Sequence, residues 1–126
     1  EVHAFAQQHK DDATLREFID PLQQKAAEWA ALTRKVLERA ATNPEEIGAA
    51  STDYLFYSGY VVLAYWWARS VAAAQASAHG DAFKQAKRET ARFYFARILP
   101  RTLSHAAAIE SGADTLMAMD DAHFGD

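Results

Sequence analysis

The chain has 126 residues, of which 50% are hydrophobic and 24% are charged, and its formal net charge is −4 at pH 7. This length suits one domain with its own core and excludes a second domain of ordinary size, while the acidic balance argues against a dedicated nucleic-acid-binding protein. The sequence has no cysteine, which excludes disulfides, thiolate catalysis and a cysteine-based zinc site and fits a cytoplasmic protein.

Glycine and proline are sparse, and no segment alternates apolar with polar residues. The pattern therefore predicts an all-α fold, an up-and-down bundle of about four helices in a single domain spanning residues 1–126. The first helical piece covers residues 1–9, where Val2, Phe5 and Ala6 share a face. We expect this piece to be the end of a longer helix whose core lies upstream. A start at Glu1 suggests a fragment, a processed chain or a disordered start that the sequence omits.

The second predicted helix spans residues 14–41, because apolar side chains recur there at three- and four-residue steps. Pro21 lies within it and removes one hydrogen-bond donor, so either the helix kinks or Asp20 caps a new start. The stripe that we expect to be buried consists of Leu15, Phe18, Ile19, Leu22, Ala26, Trp29, Val36 and Leu37.

A helix-start signal follows, with Asn43 able to cap, Pro44 suited to the first position and Glu46 three residues after the Asn. Residues such as Gly48 weaken what comes next, so the main third helix could instead begin at residue 51 or 52. It is expected to run to about residue 79, with Gly80 as its C-terminal stop.

The third helix contains the stretch YLFYSGYVVLAYWWA, residues 54–68, in which no residue is charged and seven are aromatic. Such a helix is normally surrounded by protein or lipid. The uncharged run is too short to span a bilayer, which needs about 20 apolar residues. We therefore expect a central helix covered on one side by the other helices and on another side by a partner surface.

The fourth predicted helix spans residues 81–119 and is kinked or broken at Pro100. Its three consecutive aromatic residues, Phe93-Tyr94-Phe95, cover about 200° of the helix surface, more than one contact face can use. We expect another chain or domain to cover part of this surface, although four long helices could also bury everything internally. The interface candidates are Tyr57, Tyr60, Trp66, Trp67, Phe93, Tyr94, Phe95 and Arg97.

Basic residues of the fourth helix lie on one arc and could receive acidic groups of a neighbouring domain or a phosphate, or could form a solvated face. These residues are Lys84, Lys87, Arg88 and Arg92. Arg97 projects toward the side of the apolar residues, so it should pair with a carboxylate or emerge at an interface, and we favour the interface.

No catalytic constellation is apparent in the sequence. The Glu-x-x-His pairs of a di-iron bundle are missing, as are a Gly-x-Ser-x-Gly turn and a Gly-rich phosphate loop. The five histidines are scattered and are interpreted as surface residues. Glu110 is the one carboxylate that we consider as a base, and a border position on an amphipathic helix is its simpler interpretation. Residues 120–123 could hold a stray cation but fit a capped helix end better.

Several short motifs resemble the extra C-terminal domain of the large acyl-CoA dehydrogenases, the methylmercaptopropionyl-CoA dehydrogenase-like group. The resemblance covers residues 2–124. It depends on Gly80-Asp81-Ala82-Phe83, on Lys87 with Ala91-Arg92-Phe93, on Leu99-Pro100 and on the ending LMAMDDAHF.

The resemblance implies a parent flavoenzyme that uses FAD and a carboxylate base to introduce an α,β double bond into an acyl-CoA, then reduces an electron-transfer flavoprotein. None of that apparatus is matched in this chain, so no catalytic, cofactor-binding or metal-binding residue is assigned here. The implied role is a structural domain packed on the dehydrogenase core or on a neighbouring subunit of a homo-oligomer. The alternative is a free-standing helical module that binds a partner helix or an apolar ligand in a groove lined by Tyr57, Tyr60, Trp66 and Trp67.

Overall fold

The computed structural model describes residues 1–125, which form an all-α bundle without strands in that range. The prediction of an all-α bundle is confirmed. The helices are α1 (Val2–Gln8), α2 (Ala13–Ala40), α3 (Glu45–Ala76), α4 (Asp81–Phe93), α5 (Thr102–Ser111) and α6 (Asp114–Met117). A π-helical segment (Tyr94–Ile98) and a 3-10 turn (Leu99–Arg101) join α4 to α5, and a second 3-10 turn (Asp121–Phe124) follows α6.

The longest helix, α3, is the centre of the bundle and contacts α2, α4 and α5. Short loops connect α2 to α3 and α3 to α4, so the successive long segments run antiparallel. On one side α3 buries a row of mainly small side chains, which lets the neighbouring helices approach its backbone closely. The buried residues of α3 include Ala50, Tyr57, Val61, Ala64, Ala68 and Val71.

The first two helices pack together, and the expectation about the core of α1 was wrong. Phe5 and Ala6 are buried in the core of this chain, where the Phe5 ring meets Tyr65 edge-on at 5.9 Å, so the core of α1 does not lie upstream. Helix α2 continues through Pro21 without a new start, and its cap is Asp12, whose carboxylate accepts hydrogen bonds from the first turn.

The predicted stripe of α2 is largely correct, with one exchange near its C-terminal end. Leu15, Phe18, Ile19 and Leu22 are buried as expected. Leu37 is 60% exposed, whereas the neighbouring turn buries Leu32, which the pattern did not include.

Helix α3 begins at Glu45, directly after the Asn43-Pro44 start signal, and not at residue 51 or 52. The Asn43 side chain accepts a hydrogen bond from the backbone N–H of Glu45 at 3.2 Å, as a capping residue does. The expected end was wrong, because α3 finishes at Ala76 and Gly80, at φ −67°, is the N-cap of α4.

The break at Pro100 is confirmed and takes the form of a change in helix type. Proline has no N–H, so the preceding carbonyls cannot continue the α-helical pattern. The chain passes through the π-helical and 3-10 segments and then resumes as α5. Continuous helix ends at Ser111, well before residue 119, because Gly112 adopts φ +75° and interrupts the helical backbone.

The end of α5 is held by two side chains from the α2–α3 corner. Arg39 donates to the carbonyl oxygen of Glu110 at 3.0 Å, and Glu46 accepts a hydrogen bond from the buried N–H of Ala113 at 3.2 Å. A Cβ at Gly112 would lie 3.1 Å from the Glu46 carboxylate, so space and φ both favour glycine there. Glu46 thus accepts a hydrogen bond from the segment after α5 and does not form the local capping box that its spacing suggested.

Replacing Glu46 by Ala should lower the free energy of unfolding by about 2 to 3 kcal/mol, because the buried Ala113 N–H would lose its acceptor. The matched control is Glu45→Ala, an exposed neighbour in the same first turn, whose expected cost is below about 1 kcal/mol. Urea denaturation of both variants measures the difference. Equal losses of stability would show that Glu46 contributes only through the helix dipole.

Candidate interface surface

One side of α3 faces away from the bundle and is apolar. We call the six residues on it the outer face: Leu55, Phe56, Gly59, Val62, Leu63 and Trp66. Their large side chains are well exposed, with 69% exposure for Leu55 and 52% for Trp66. No charged residue lies between Asp53 and Arg69, so nothing on this face favours contact with water.

The outer face exists because α3 is apolar around most of its circumference, while the described helices cover it from one side only. Side chains of a helix recur on one side at three- and four-residue steps, so Val61, Ala64 and Ala68 face the core while Val62 and Trp66 do not. A contiguous apolar surface of this kind marks a site of contact with another molecule or domain.

An apolar groove of about 600 Å³ lies beside the outer face, between α2 and α3. Its hydroxyl groups are engaged within the chain, since Thr33 donates to the carbonyl of Trp29 at 2.8 Å and Ser58 to the carbonyl of Tyr54 at 2.6 Å. No charged side chain is among the lining residues in the described chain. They are Thr33, Val36, Leu37, Ile47, Ala50, Ser51, Tyr54, Leu55 and Ser58.

A smaller groove of about 270 Å³ continues along the same boundary toward the C-terminal half of α3. Trp29 lines it together with Val62 and Trp66 of the outer face. The indole N–H of Trp29 is buried and has no hydrogen-bond partner within residues 1–125. The larger groove and the outer face are therefore both apolar, whereas the smaller groove also has Glu1 in its lining.

The sequence-based candidate Tyr57 does not lie on this surface, which corrects its assignment to an interface. Its ring is fully buried, and its hydroxyl donates to the Glu28 carboxylate at 2.7 Å. Burial, together with that carboxylate, raises the pKa of Tyr57. Tyr57 and the exposed Trp66 point to opposite sides of α3, so the predicted groove lined by both is not formed.

Three further candidates pack within the bundle. Tyr94 is buried and donates to the carbonyl oxygen of Tyr60 at 2.9 Å, and burial and the nearby Tyr60 raise its pKa to about 12. Trp67 is half-buried at 6.4 Å from the Tyr94 ring, and Phe95 meets the buried Phe18 at 5.2 Å. Trp67 and Tyr94 stabilise the contact between α3 and the segment after α4, and Phe95 joins that segment to α2.

Of the remaining candidates, Tyr60 is half-buried against the core. Trp66, Phe93 and Arg97 are exposed, but they do not share one surface. Trp66 belongs to the outer face of α3, whereas Phe93 and Arg97 lie on the helical stretch before Pro100. Within residues 1–125 no carboxylate forms an ion pair with Arg97, and its emergence at an interface stays a prediction. The aliphatic residues of the outer face were missed because the sequence reasoning selected aromatic rings, although helical spacing from Trp66 leads back to Val62 and Leu55.

Two of the four clustered basic residues bind a carboxylate of this chain. Arg88 and Arg92 both contact Glu17 of α2, at 2.6 Å and 2.8 Å. Burial raises the pKa of Glu17, but the hydrogen bonds from Arg92 and Arg88 outweigh it and leave this pKa below its ordinary value. The pair of arginines thus joins α4 to α2, which leaves the cluster with fewer charges for a partner.

His105 also differs from its interpretation as a surface residue. Its ring is packed between Phe56 and Tyr60, with centroids at 5.3 Å and 5.7 Å, and its Nδ1 lies 2.7 Å from the Asp53 carboxylate. The side chain is mostly buried and connects α5 to α3. Phe56 is therefore fixed on its inner side by His105 while its other side belongs to the outer face.

The other candidate chemical groups are engaged in ordinary contacts. Glu110 is exposed and pairs with Lys35 at 2.7 Å, and Asp120 accepts from the N–H of Ala122 at 3.0 Å, as a capping residue does. Residues 1–125 hold no group of three or more acidic or histidine side chains placed to bind a metal ion. In the same range, no helix has a stretch long and apolar enough to cross a membrane.

Comparison with known proteins gives one family. A family model described as acetyl-CoA dehydrogenase C-terminal like matches residues 1–120. The match confirms the resemblance to the C-terminal domain of acyl-CoA dehydrogenases that the sequence motifs indicated. No curated protein matches the chain.

Replacing Glu17 by Gln should make stability less dependent on acid pH. Because the folded pKa of Glu17 lies below its usual 4.5, its contribution is complete above that pH and is lost as the pH falls through the lower, folded value. We expect the unmodified protein to lose more stability than Glu17→Gln as the pH falls below 4.5. The midpoints of urea denaturation, measured for both proteins between neutral and acid pH, would show this difference in pH dependence.

The matched control is Glu38→Gln, an exposed glutamate on the same helix that forms no ion pair within the described residues. This variant should keep the steeper acid dependence of the unmodified protein. If both variants lose stability in parallel with the unmodified protein, the contact of Glu17 with Arg88 and Arg92 does not stabilise the fold.

Proposed function

We propose that the chain, which belongs to the acetyl-CoA dehydrogenase C-terminal-like family, is the C-terminal structural and oligomerisation domain of a longer acyl-CoA dehydrogenase. Residues 1–126 would form one helical domain of that enzyme. The parent reaction is the α,β-dehydrogenation of an acyl-CoA thioester. The domain contributes an assembly surface to the parent and no reacting group.

The observation that supports this proposal is the outer face of α3. Its large apolar side chains are exposed on this chain and uninterrupted by charge, and their transfer from water to a protein surface is favourable by about 25 cal/mol for each Å² buried. A dehydrogenase core or a neighbouring subunit would provide that cover. The role agrees with the family and needs no catalytic side chain from this chain.

The parent enzyme would use FAD, an electron-transfer flavoprotein as acceptor and a carboxylate base, all bound outside this chain. The apolar groove between α2 and α3 does not fit FAD, because its lining offers no cationic side chain for the pyrophosphate. We assign no flavin contact and no reaction step to these residues. We also propose that the parent enzyme is a homo-oligomer and lies in the cytoplasm.

A charge placed on the outer face tests the proposed assembly role. Leu63→Glu in the native protein should weaken its assembly at least tenfold, because the carboxylate would have to be buried without a partner. Ala82→Glu, at an exposed position of α4, is the matched control and should assemble normally. Sedimentation velocity measures assembly, and circular dichroism checks that both variants fold. Equal assembly of the two folded variants would contradict the proposal.

A second candidate function is a helical interaction module that binds an apolar ligand. It is favoured by one observation, the uncharged groove between α2 and α3, whose volume of about 600 Å³ lies in the range of ligand pockets. A linear acyl chain would suit its shape and chemistry. Trp29 lies close enough to report binding, because it packs against Tyr54 of the groove at 6.4 Å.

Titration with a fatty acid, followed by tryptophan fluorescence, tests this second function. If the groove binds the chain, Ser51→Phe should weaken binding at least tenfold, because the ring would fill the groove that Ser51 lines. Thr52→Phe is the matched control, since Thr52 is exposed and does not line the groove. No fluorescence response, or an equal effect of both variants, would count against a ligand site.

A further inference from the structure

Gly59 lies in the middle of the outer face, where its own chain has no need of a glycine. Its φ is not positive, and a Cβ built on it would meet nothing within 4 Å. Glycine in a helix interior is less favourable than alanine because it costs more conformational entropy. A glycine in such a place is suited to the close approach of another backbone, which this chain does not itself supply.

The residues on either side of Gly59 are arranged almost symmetrically. Leu55 and Leu63 lie four residues before and after it, and Phe56 and Val62 lie three residues before and after it. All four are large, apolar and exposed. Seven residues before and after Gly59, the two side chains differ in size: Thr52 is small and Trp66 is large.

This pattern fits a second copy of the same helix, related by a twofold axis at Gly59. In an antiparallel pair centred there, a residue that follows Gly59 meets the residue that precedes it by the same number in the other copy. Leu55 would meet Leu63, Phe56 would meet Val62, and the bulky Trp66 would fit over Thr52 of the second copy. The two glycines would let the helices approach closely at the centre.

Charge is compatible with the same arrangement. The outer face is uncharged, so two copies bring no like charges together although each carries a net −4. Beyond the face, Arg69 of one copy falls opposite residue 49 of the other, one helical turn from the exposed Glu45. The two ends of the contact therefore place opposite charges near each other.

The exposed area is enough for such a contact. The large side chains of the outer face are 42% to 69% exposed, which leaves roughly 100 Å² on each for burial if a large side chain buries about 150 to 250 Å² in full. Two copies would then remove about 1,000 Å² from water, near the lower limit of specific interfaces.

We propose that α3 packs against α3 of a second copy as an antiparallel pair with its twofold axis at Gly59. The inference rests on the proposed function, since it names the partner of the outer face as this chain itself. A dehydrogenase core seated on the same face is the competing occupant, and the experiment below separates the two.

Site-specific disulfide formation tests the register, and this chain contributes no cysteine of its own to compete with the introduced pair. The double variant Leu55→Cys with Leu63→Cys should form a disulfide-linked dimer in the native protein under mild oxidation. Each single variant should not, because its two thiols would lie about 12 Å apart along the axis, at about 1.5 Å per residue, beyond the roughly 7 Å Cα separation that a disulfide spans. The same distance prevents a bridge within one chain.

Gly59→Leu tests the close approach at the axis. The monomer has open space for the side chain and gains helix propensity, so its thermal stability should be unchanged or higher. The dimer should weaken at least tenfold, measured as a shift in the concentration dependence of the sedimentation coefficient. Ala82→Leu on α4, exposed and away from the outer face, should leave association unchanged.

Maleimide labelling of Leu63→Cys separates failure of the pairing from failure of the proposed function. Linked dimers of the double variant, together with weaker association of Gly59→Leu, support the antiparallel pair. Absent cross-links with slow labelling would show that another surface covers the outer face, which overturns the pairing and leaves the assembly role intact. Absent cross-links with fast labelling would show an open face and overturn both.

Discussion

The rest of the fold depends on one constraint, which is that the middle of α3, residues 54–68, has no charged residue and is apolar around most of its circumference. A helix of this kind cannot remain in water and must be surrounded. Helices α2, α4 and α5 cover the side with small residues such as Ala64 and Ala68, where close approach is possible. The outer face, from Leu55 to Trp66, retains large side chains that the described helices leave 42% to 69% exposed. The same sequence property therefore creates both the core and the surface for a partner.

Apolar contacts alone would not fix how the helices are placed along α3, and a few directed polar contacts do so. His105 meets Asp53 at 2.7 Å, and Glu46 accepts from the Ala113 N–H at the end of α5. Glu17 binds two arginines of α4. Such contacts stabilise one alignment because a shift of one helical turn would separate these partners and leave the buried N–H of Ala113 without an acceptor. They lie where α3 meets α5 and where α2 meets α4, and leave the outer face free of polar groups.

The sequence was sufficient for features that depend on local chemistry. The approximate starts of α2 and α4, the break at Pro100 and most of the α2 stripe follow from caps, proline and periodicity. The sequence left two starts open for α3. Long-range partners were not predictable, because Glu46 had an equally good local role in its own first turn. Tyr57 and Trp66 are both large aromatic residues in the same uncharged stretch. Only the rotation of α3 against α2 decides that Tyr57 is buried and Trp66 is exposed. The family motifs gave the domain type but not which side of α3 is open.

Gly59 is stronger support for an assembly through α3 than any single exposed aromatic residue of that helix. In the core, small residues on α3 are matched by neighbours that fill the space, whereas Gly59 has open space around it. Stability of the isolated chain would favour a larger residue there. A glycine kept at that cost is explained if the helix is complete only in an assembly, where the missing side chain becomes room for a second backbone. The bundle is then the base of an interface, and the flavin chemistry of the proposed parent lies elsewhere in that enzyme.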